Sequence, residues 1–208
     1  GEVDDFLAIK KVSAALVDGE KVGVVDLYGA GLKALEGPLQ ENVKVYPSLT
    51  EMNVAGCLAA IVITDRLLPV EEQPTSRHWV ILRPKSLVVG VGMNRGTSAE
   101  EVRLAVEETL SANGLSPKSI RNLASADLKR DEEGLLAYAR SSGVPIEFFS
   151  PEKLNAVRMP SPSETVMRHV GARGVAEPAA ILSAKNNLLI VNKVKSGNVT
   201  VAVARGVS

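Results

Sequence analysis

The stretch LVVGVGMNRGTSAEEVRLAVEETL, residues 87–110, places the strongest constraint on the fold of this chain. Its first seven residues are apolar or glycine, and this run predicts a strand. Thr97 and Ser98 then precede an amphipathic pattern that predicts a helix over 98–112, ended by Asn113 and Gly114. A strand, a glycine-containing turn and a helix in direct succession form one repeat of a layered α/β structure.

The rest of the chain continues this alternation. Apolar runs bounded by turn residues predict strands at 22–28, 43–47, 57–65, 78–84 and 145–149. Helical spacing and N-cap signals predict helices over 3–17 and 132–142 and helix starts at Ser150, Ser161 and Glu177-Pro178. Residues 120–128 are compatible with a loop or a strand. Residues 188–205 predict a hairpin about Ser196-Gly197-Asn198.

A break at Pro84-Lys85-Ser86 divides the chain into two predicted domains, 1–84 and 85–208. We predict an α/β fold made of two small layered α/β domains. The C-terminal domain is expected to be a three-layer α/β/α structure. Its sheet is expected to be mixed, because the closing hairpin adds antiparallel strands to parallel ones.

Composition excludes several classes of protein. The chain has 24 basic and 24 acidic residues and only 3% aromatic residues, which argues against a nucleic-acid-binding surface. A single cysteine, Cys57, excludes an internal disulfide and a four-cysteine zinc site. His78 and His169 lie in no metal-ligand motif, so we expect no metal site. No signal peptide is visible and no apolar run approaches the about 20 residues of a membrane span, so a cytoplasmic protein without membrane contact is expected.

The glycine turn leaves two interpretations open. Its spacing, G-x-G-x-x-x-G, is one residue longer than the dinucleotide-binding fingerprint, and the required acidic residue is missing near Leu110. The free N–H groups at the helix start still favour an anion, and Arg95 beside them could bind a carboxylate. The alternative is a tight strand-to-helix turn without a ligand.

Four stretches together carry a resemblance: GVGMNRGTSAEE (90–101), ASADLKRDEEGLLAYA (124–139), PSPSETVMRHVG (160–171) and GVAEPAAILSA (174–184). In this order and at these separations they resemble the C-terminal domain of the CbiG family of cobalamin biosynthesis, and also CobE of the aerobic pathway. Residues 2–84, with ITDR at 63–66 and LRP at 82–84, resemble the central region of that family.

Two features depart from the family pattern. Met93 and Asn94 stand where Cys and Arg are common in the family turn. The glycine- and histidine-rich motif of the family's N-terminal domain does not occur in the sequence, and the chain begins Gly1-Glu2-Val3 without Met. We therefore interpret the chain as the central and C-terminal parts of a longer protein.

The resemblance implies an anaerobic-pathway hydrolase that opens the δ-lactone of cobalt-precorrin-5A and gives cobalt-precorrin-5B and acetaldehyde. Because the substrate carries the cobalt, no cofactor of the protein's own is expected. Other cobalamin-pathway enzymes and a second copy of the chain, as a homodimer, are further candidate partners. The alternatives are a non-catalytic corrinoid-binding module and a nucleotide-dependent enzyme that uses the glycine turn.

The resemblance also places the candidate site residues. Arg95, Lys129 and Arg130 are candidates for the acetate and propionate groups of the macrocycle. The glycine turn and two helix starts would add backbone donors through Gly90, Gly92, Gly96, Thr97, Ser98 and Ser163. A lactone hydrolase needs a base to activate water, and the candidates are Asp127, Glu164 and Glu177. Each of these acids also has a structural interpretation, as a cap or a favourable charge at a helix start.

Overall fold

The computed structural model describes residues 2–3, 6–32, 38–157, 174–186 and 188–206. The chain forms two compact units. The first comprises Gly1–Lys85 together with Gly114–Ser119, and the second comprises Ser86–Asn113 together with Ile120–Ser208. The segment 114–119 therefore belongs in space with the first unit, although the second unit precedes and follows it in sequence.

The first unit is an α/β sheet of five strands. Its elements are β1 (Glu2–Val3), α1 (Phe6–Val17), β2 (Val22–Asp26), β3 (Val43–Tyr46), α2 (Leu49–Val54), β4 (Ala59–Ile63), a 3-10 turn (Val70–Glu72) and β5 (His78–Arg83). The strand order is β1-β5-β4-β2-β3. Strands β2 to β5 are parallel, and the short β1 is antiparallel to β5.

Apolar side chains bury both faces of this sheet. On one face Val12 and Ala15 of α1 pack with Val22, Ala59 and Val80. On the other face Met52 of α2 packs in a second cluster with Val25, Tyr46, Cys57 and Ala60. Cys57, the single cysteine of the chain, is buried in this second cluster.

The second unit is a mixed five-stranded sheet between helices. Its elements are β6 (Leu87–Met93), α3 (Ala99–Ala112), β7 (Ile120–Ala126), α4 (Glu133–Ser142), β8 (Ile146–Phe149), α5 (Pro151–Ala156), α6 (Ala176–Ala184), β9 (Leu189–Ser196) and β10 (Val199–Arg205). The order is β8-β7-β6-β10-β9. Strands β6, β7 and β8 are parallel, and the hairpin β9–β10 joins β6 in antiparallel register.

These elements confirm the predicted α/β class and the mixed sheet. Residues 120–126, predicted as loop or strand, form the parallel strand β7. The sequence did not predict α2, because this helix is only six residues long and buries only Met52. The helix start predicted at Ser161 lies outside the described residues. Within the described part of the chain, no helix has both the length and the apolar character needed to cross a membrane.

Candidate active site

The parallel strands of the second unit bring two turns to one edge of the sheet. The turn Asn94–Ser98 follows β6, and the segment Asp127–Glu132 follows the neighbouring strand β7. The carboxyl ends of parallel strands meet at the same edge, where open α/β sheets bind their ligands. We call these two segments together the carboxyl-edge site. It contains most of the residues predicted to bind substrate.

Local hydrogen bonds fix the first turn. Gly96 has a φ of +73°, a conformation that favours glycine. The hydroxyl of Thr97, which is buried, donates to the carbonyl of Asn94 at 2.8 Å. Ser98 is the N-cap of α3, and its hydroxyl accepts from the N–H of Glu101 at 3.2 Å. Thr97 and Ser98 thus have structural roles, and their binding to a ligand stays a prediction.

A buried carboxylate already occupies this turn. The side chain of Glu132 is only 5% exposed, and its Oε2 accepts from the backbone N–H of Gly96 at 3.0 Å. Its Oε1 lies 3.9 Å from Nε of Arg95 and 3.7 Å from Nζ of Lys129, and has no hydrogen bond. The anion-binding character predicted for the turn is therefore met by an acidic group of the chain itself.

Each of the three predicted cations faces an internal carboxylate. Arg95, with a side chain 73% exposed, also lies 3.4 Å from Oδ2 of Asp131. Nε of Arg130 donates to Oδ1 of Asp127 at 2.7 Å, and its guanidinium stacks over the ring of Phe148 at 5.1 Å. The ion pairs of Arg95 with Asp131 and of Arg130 with Asp127 are exposed and weak, so a ligand carboxylate can exchange with them. The pair of Lys129 with Glu132 is mostly buried. The role of these cations in binding substrate stays a prediction.

The glycines of β6 make room for a helix. A Cβ on Gly90 would lie 1.9 Å from the carbonyl oxygen of Ala176 in α6, and one on Gly92 would lie 2.5 Å from Oγ1 of Thr200. Both glycines are buried. Close packing inside the chain thus explains why glycine occurs at both positions. The expected approach of a ligand to them is untested.

The predicted bases are spread along the unit. Asp127 directly follows β7 and keeps its Oδ1 on Arg130, as described above. Glu177 lies in the first turn of α6, where its Oε1 accepts from the backbone N–H of Lys193 at 3.0 Å. Ser163 and Glu164, like His169, lie in 158–173, outside the described residues.

The sequence reading missed two residues of this site. Glu132 was predicted only as the first residue of the helix over 132–142 and not as part of a site. Gly134 lets the first turn of α4 approach the glycine turn, because a Cβ there would lie 2.0 Å from the carbonyl oxygen of Thr97. The available signal was the triplet Glu132-Glu133-Gly134, since glycine is unfavourable inside the first turn of a helix unless close packing requires it.

No three histidine, cysteine, aspartate or glutamate side chains come together as a metal site in the described ranges. The polar groups of the carboxyl-edge site can bind anions, exchange protons and donate hydrogen bonds. These are the functions that a carboxylated substrate and an attacking water require.

Comparison with known proteins gives two family matches that together span nearly the whole chain. The family described as "Cobalamin biosynthesis central region" matches residues 2–84, and the family described as "Cobalamin synthesis G C-terminus" matches residues 87–204. The first match ends at residue 84, and the second begins at residue 87.

Individual relatives agree with these matches. The chain is 41% identical over 199 residues to a cobalt-precorrin-5A hydrolase of Priestia megaterium, covering 94% of this chain and 53% of that protein. It is 40% identical over 121 residues to protein CobE of a Sinorhizobium species, covering 57% of this chain and 79% of that protein. A crystal structure of CobE, a protein of the cobalamin (vitamin B12) biosynthetic pathway, superposes with a TM-score of 0.50 at 35% identity. That match covers 61% of this chain and 94% of the CobE chain. The chain thus spans about half the length of the hydrolase it matches.

Proposed function

Because this chain belongs to the CbiG family of cobalamin biosynthesis proteins, we propose that it acts in the hydrolysis of the δ-lactone of cobalt-precorrin-5A, which gives cobalt-precorrin-5B and acetaldehyde. The observation that carries the proposal is the 41% identity, over 94% of this chain, to a protein named cobalt-precorrin-5A hydrolase. The chain corresponds to about half of that relative, so its own share of the reaction is the point to test.

Substrate binding is proposed at the carboxyl-edge site. Acetate and propionate groups on the rim of the macrocycle would exchange with the internal carboxylates that now face Arg95 and Arg130. An Arg–carboxylate contact gains strength and direction from paired hydrogen bonds. The exposed position of both arginines makes such an exchange sterically simple.

The chemical step requires a base, water and a group that stabilises the oxyanion. As water adds to the lactone carbonyl, the base takes its proton, and the nearby cations stabilise the negative charge on the carbonyl oxygen. The carbon–oxygen bond between the carbonyl carbon and the ring oxygen of the lactone then breaks, which leaves a carboxylate and an alkoxide on the two-carbon fragment. The alkoxide becomes the carbonyl group of acetaldehyde as the carbon–carbon bond to the macrocycle breaks, and the electron pair of that bond stays on the macrocycle. Asp127 and Glu177 remain the candidate bases among the described residues. In each, one carboxylate oxygen has a hydrogen-bond partner, and the other can accept a proton.

The proposal includes a cytoplasmic location and a substrate that supplies its own cobalt. Contacts with other cobalamin-pathway enzymes and a homodimer also belong to it. All of these parts rest on the family resemblance, and the location rests also on the absence of long apolar runs from the sequence.

The test is acetaldehyde release from anaerobically prepared cobalt-precorrin-5A by the chain of residues 1–208. Release at a catalytic rate would support the proposal, and Asp127→Asn and Glu177→Gln would then identify the base. The matched control is Glu133→Gln, because this acid is exposed on α4 and pairs with Arg140. A shift in the visible spectrum of the pigment without release would instead indicate a corrinoid-binding module. The absence of both acetaldehyde release and a spectral shift would contradict the proposal.

A further inference from the structure

Glu132 is the most buried acid of the carboxyl-edge site. Its side chain is 5% exposed, whereas those of Asp127 and Asp131 are 35% and 67% exposed. A buried carboxylate loses its hydration, which is unfavourable unless each oxygen gains a partner or has a role in function. Each oxygen of Glu132 therefore requires its own explanation.

The fold accounts for only one of these two oxygens. Oε2 accepts from the backbone N–H of Gly96 at 3.0 Å and so fixes the glycine turn. Oε1 is buried and accepts no hydrogen bond from any described residue. Glu132 also stands at the N-cap position of α4, but its side chain makes no capping hydrogen bond there. The structural roles of this side chain thus leave the lone pairs of Oε1 unused.

Two cations lie beside Oε1 without bonding to it. Nζ of Lys129 is 3.7 Å away and Nε of Arg95 is 3.9 Å away, and both distances exceed the 2.7–3.2 Å of a hydrogen bond. The side chain of Arg95 is 73% exposed and its ion pair with Asp131 is weak, so it can move onto a carboxylate of the substrate. This movement would open Oε1 to a water molecule, while Lys129, only 18% exposed, stays beside it.

We propose that Glu132 is the general base of the lactone hydrolysis, with Oε1 as the atom that accepts the proton of the attacking water. The assignment rests on the proposed function for the identity of the reaction. Asp127 and Glu177, the bases expected from the sequence, each have a free oxygen as well. Among the described residues, however, Glu132 is the one acid with a buried oxygen that lacks a hydrogen bond. Its bond to Gly96 also holds the carboxylate in one orientation.

The step balances with water as the only co-reactant. Oε1 takes one proton of the water, and the hydroxide that remains bonds to the carbonyl carbon of the lactone. The electron pair of the carbonyl π bond moves to the carbonyl oxygen, where the ammonium group of Lys129 stabilises the negative charge. This charge passes to the ring oxygen as the bond between that oxygen and the carbonyl carbon breaks. The proton on Glu132 then passes to solvent, which restores the carboxylate.

The test is Glu132→Gln, which removes the base and keeps the structural hydrogen bond, because the amide oxygen can still accept from Gly96. Acetaldehyde release from cobalt-precorrin-5A by the chain of residues 1–208 gives kcat and KM. We expect kcat to fall roughly 100-fold or more, as for the loss of a general base. KM is expected not to rise, because the cations that bind the substrate remain. Glu132→Asp keeps a carboxylate and is expected to have a higher kcat than Glu132→Gln.

The matched control is Glu133→Gln, which makes the same change on the next residue. Glu133 is exposed and pairs with Arg140 on α4, so this variant is expected to release acetaldehyde as the unmodified chain does. Urea unfolding of each variant shows whether the fold is intact.

The outcomes separate the assignment of the base from the reaction itself. Release by the unmodified chain with an undiminished kcat in Glu132→Gln would overturn Glu132 as the base and leave the proposed function standing. A fall in kcat accompanied by a higher KM or a lower stability would indicate a structural role and would also overturn it, as would equal kcat values for Glu132→Asp and Glu132→Gln. No release by the unmodified chain would contradict the hydrolysis and, with it, the base.

Discussion

The Oε2 atom of Glu132 accepts a hydrogen bond from the backbone N–H of Gly96 at 3.0 Å, across 36 residues of sequence. This bond joins the turn after β6 to the segment after β7. It places a buried carboxylate where a strand-to-helix turn would otherwise accept an external anion. The carboxyl-edge site therefore contains a competitor for its own ligand.

Replacing this carboxylate by an amide should separate the effect of its hydrogen bond to Gly96 from the effect of its negative charge. Glu132→Gln keeps an oxygen that can accept from Gly96 but removes the negative charge that faces Arg95 and Lys129. We expect its free energy of unfolding to stay within about 1 kcal/mol of the original and its affinity for a carboxylated corrinoid to rise. Glu132→Ala should lose about 1–3 kcal/mol, because it leaves the N–H of Gly96 without its partner. Urea unfolding measures the stability of each variant, and titration with the ligand measures its affinity. Equal destabilisation by Glu132→Gln and Glu132→Ala would contradict this explanation.

Arg95 is the exposed cation of the same site. Arg95→Ala is expected to weaken the binding of a carboxylated corrinoid by about 1–3 kcal/mol, the value of a charged hydrogen bond. The matched control is Arg140→Ala, since this arginine is also exposed and pairs with an acid, Glu133, on the surface of α4. Unchanged affinity in a folded Arg95→Ala variant would remove Arg95 from the binding site.

Gly90 makes close packing between β6 and α6 possible. Gly90→Ala would put a methyl group 1.9 Å from the backbone carbonyl oxygen of Ala176, which cannot move without shifting the helix. We expect the unfolding free energy to fall by about 1–3 kcal/mol or more. Gly174→Ala serves as the control, because among the described residues the added methyl would meet only the flexible side chain of Lys193, at 3.3 Å. Equal stability of the two variants in urea unfolding would show that α6 shifts freely.

Tyr138 gives the fold a pH dependence at high pH. Burial, and then the negative charge of Glu107, raise the pKa of Tyr138 from 10.0 to about 12. Below pH 10 the phenol is neutral in both folded and unfolded chains, so stability is intact there. Between pH 10 and 12 the unfolded chain loses the proton first, and stability falls by about 2–3 kcal/mol.

The measurement is urea unfolding at several pH values from 9 to 11.5, with Tyr138→Phe as the comparison. The variant cannot ionise at this position, so its stability should fall less steeply above pH 10. Parallel decreases in the two proteins would show that other groups cause the loss.

Local signals in the sequence predicted most of the fold. The apolar run 87–93 forms β6, and Ser98 and Ser150 are N-caps whose hydroxyls accept from the N–H groups three residues later. These features depend on neighbouring residues, so the sequence alone reveals them. The hairpin about Gly197 was predicted for the same reason.

Partners distant in sequence could not be predicted in this way. Glu101 lies three residues after the N-cap Ser98, where a capping box would turn its carboxylate back toward the start of α3. Its Oε1 instead accepts from the N–H of Asn198 at 2.9 Å, 97 residues further on. The bond of Glu132 to Gly96 and the contact of Gly90 with Ala176 are also long-range. The candidate site was thus predicted as a set of residues, but the acid that faces its cations was not.

The segment Gly114–Ser119 has a consequence for dividing the gene. Leu115 pairs with Arg66, the N–H of Leu67 donates to the carbonyl of Gly114, and the N–H of Ser116 donates to that of Asp65. A reading frame stopped after Lys85 would encode the first unit without these partners. A reading frame that starts at Ser86 would encode a second unit that contains the segment Gly114–Ser119 without the residues of the first unit that it contacts. Separate expression of the two halves would therefore call for a short linker in place of 114–119 in one and a transplanted copy of it in the other.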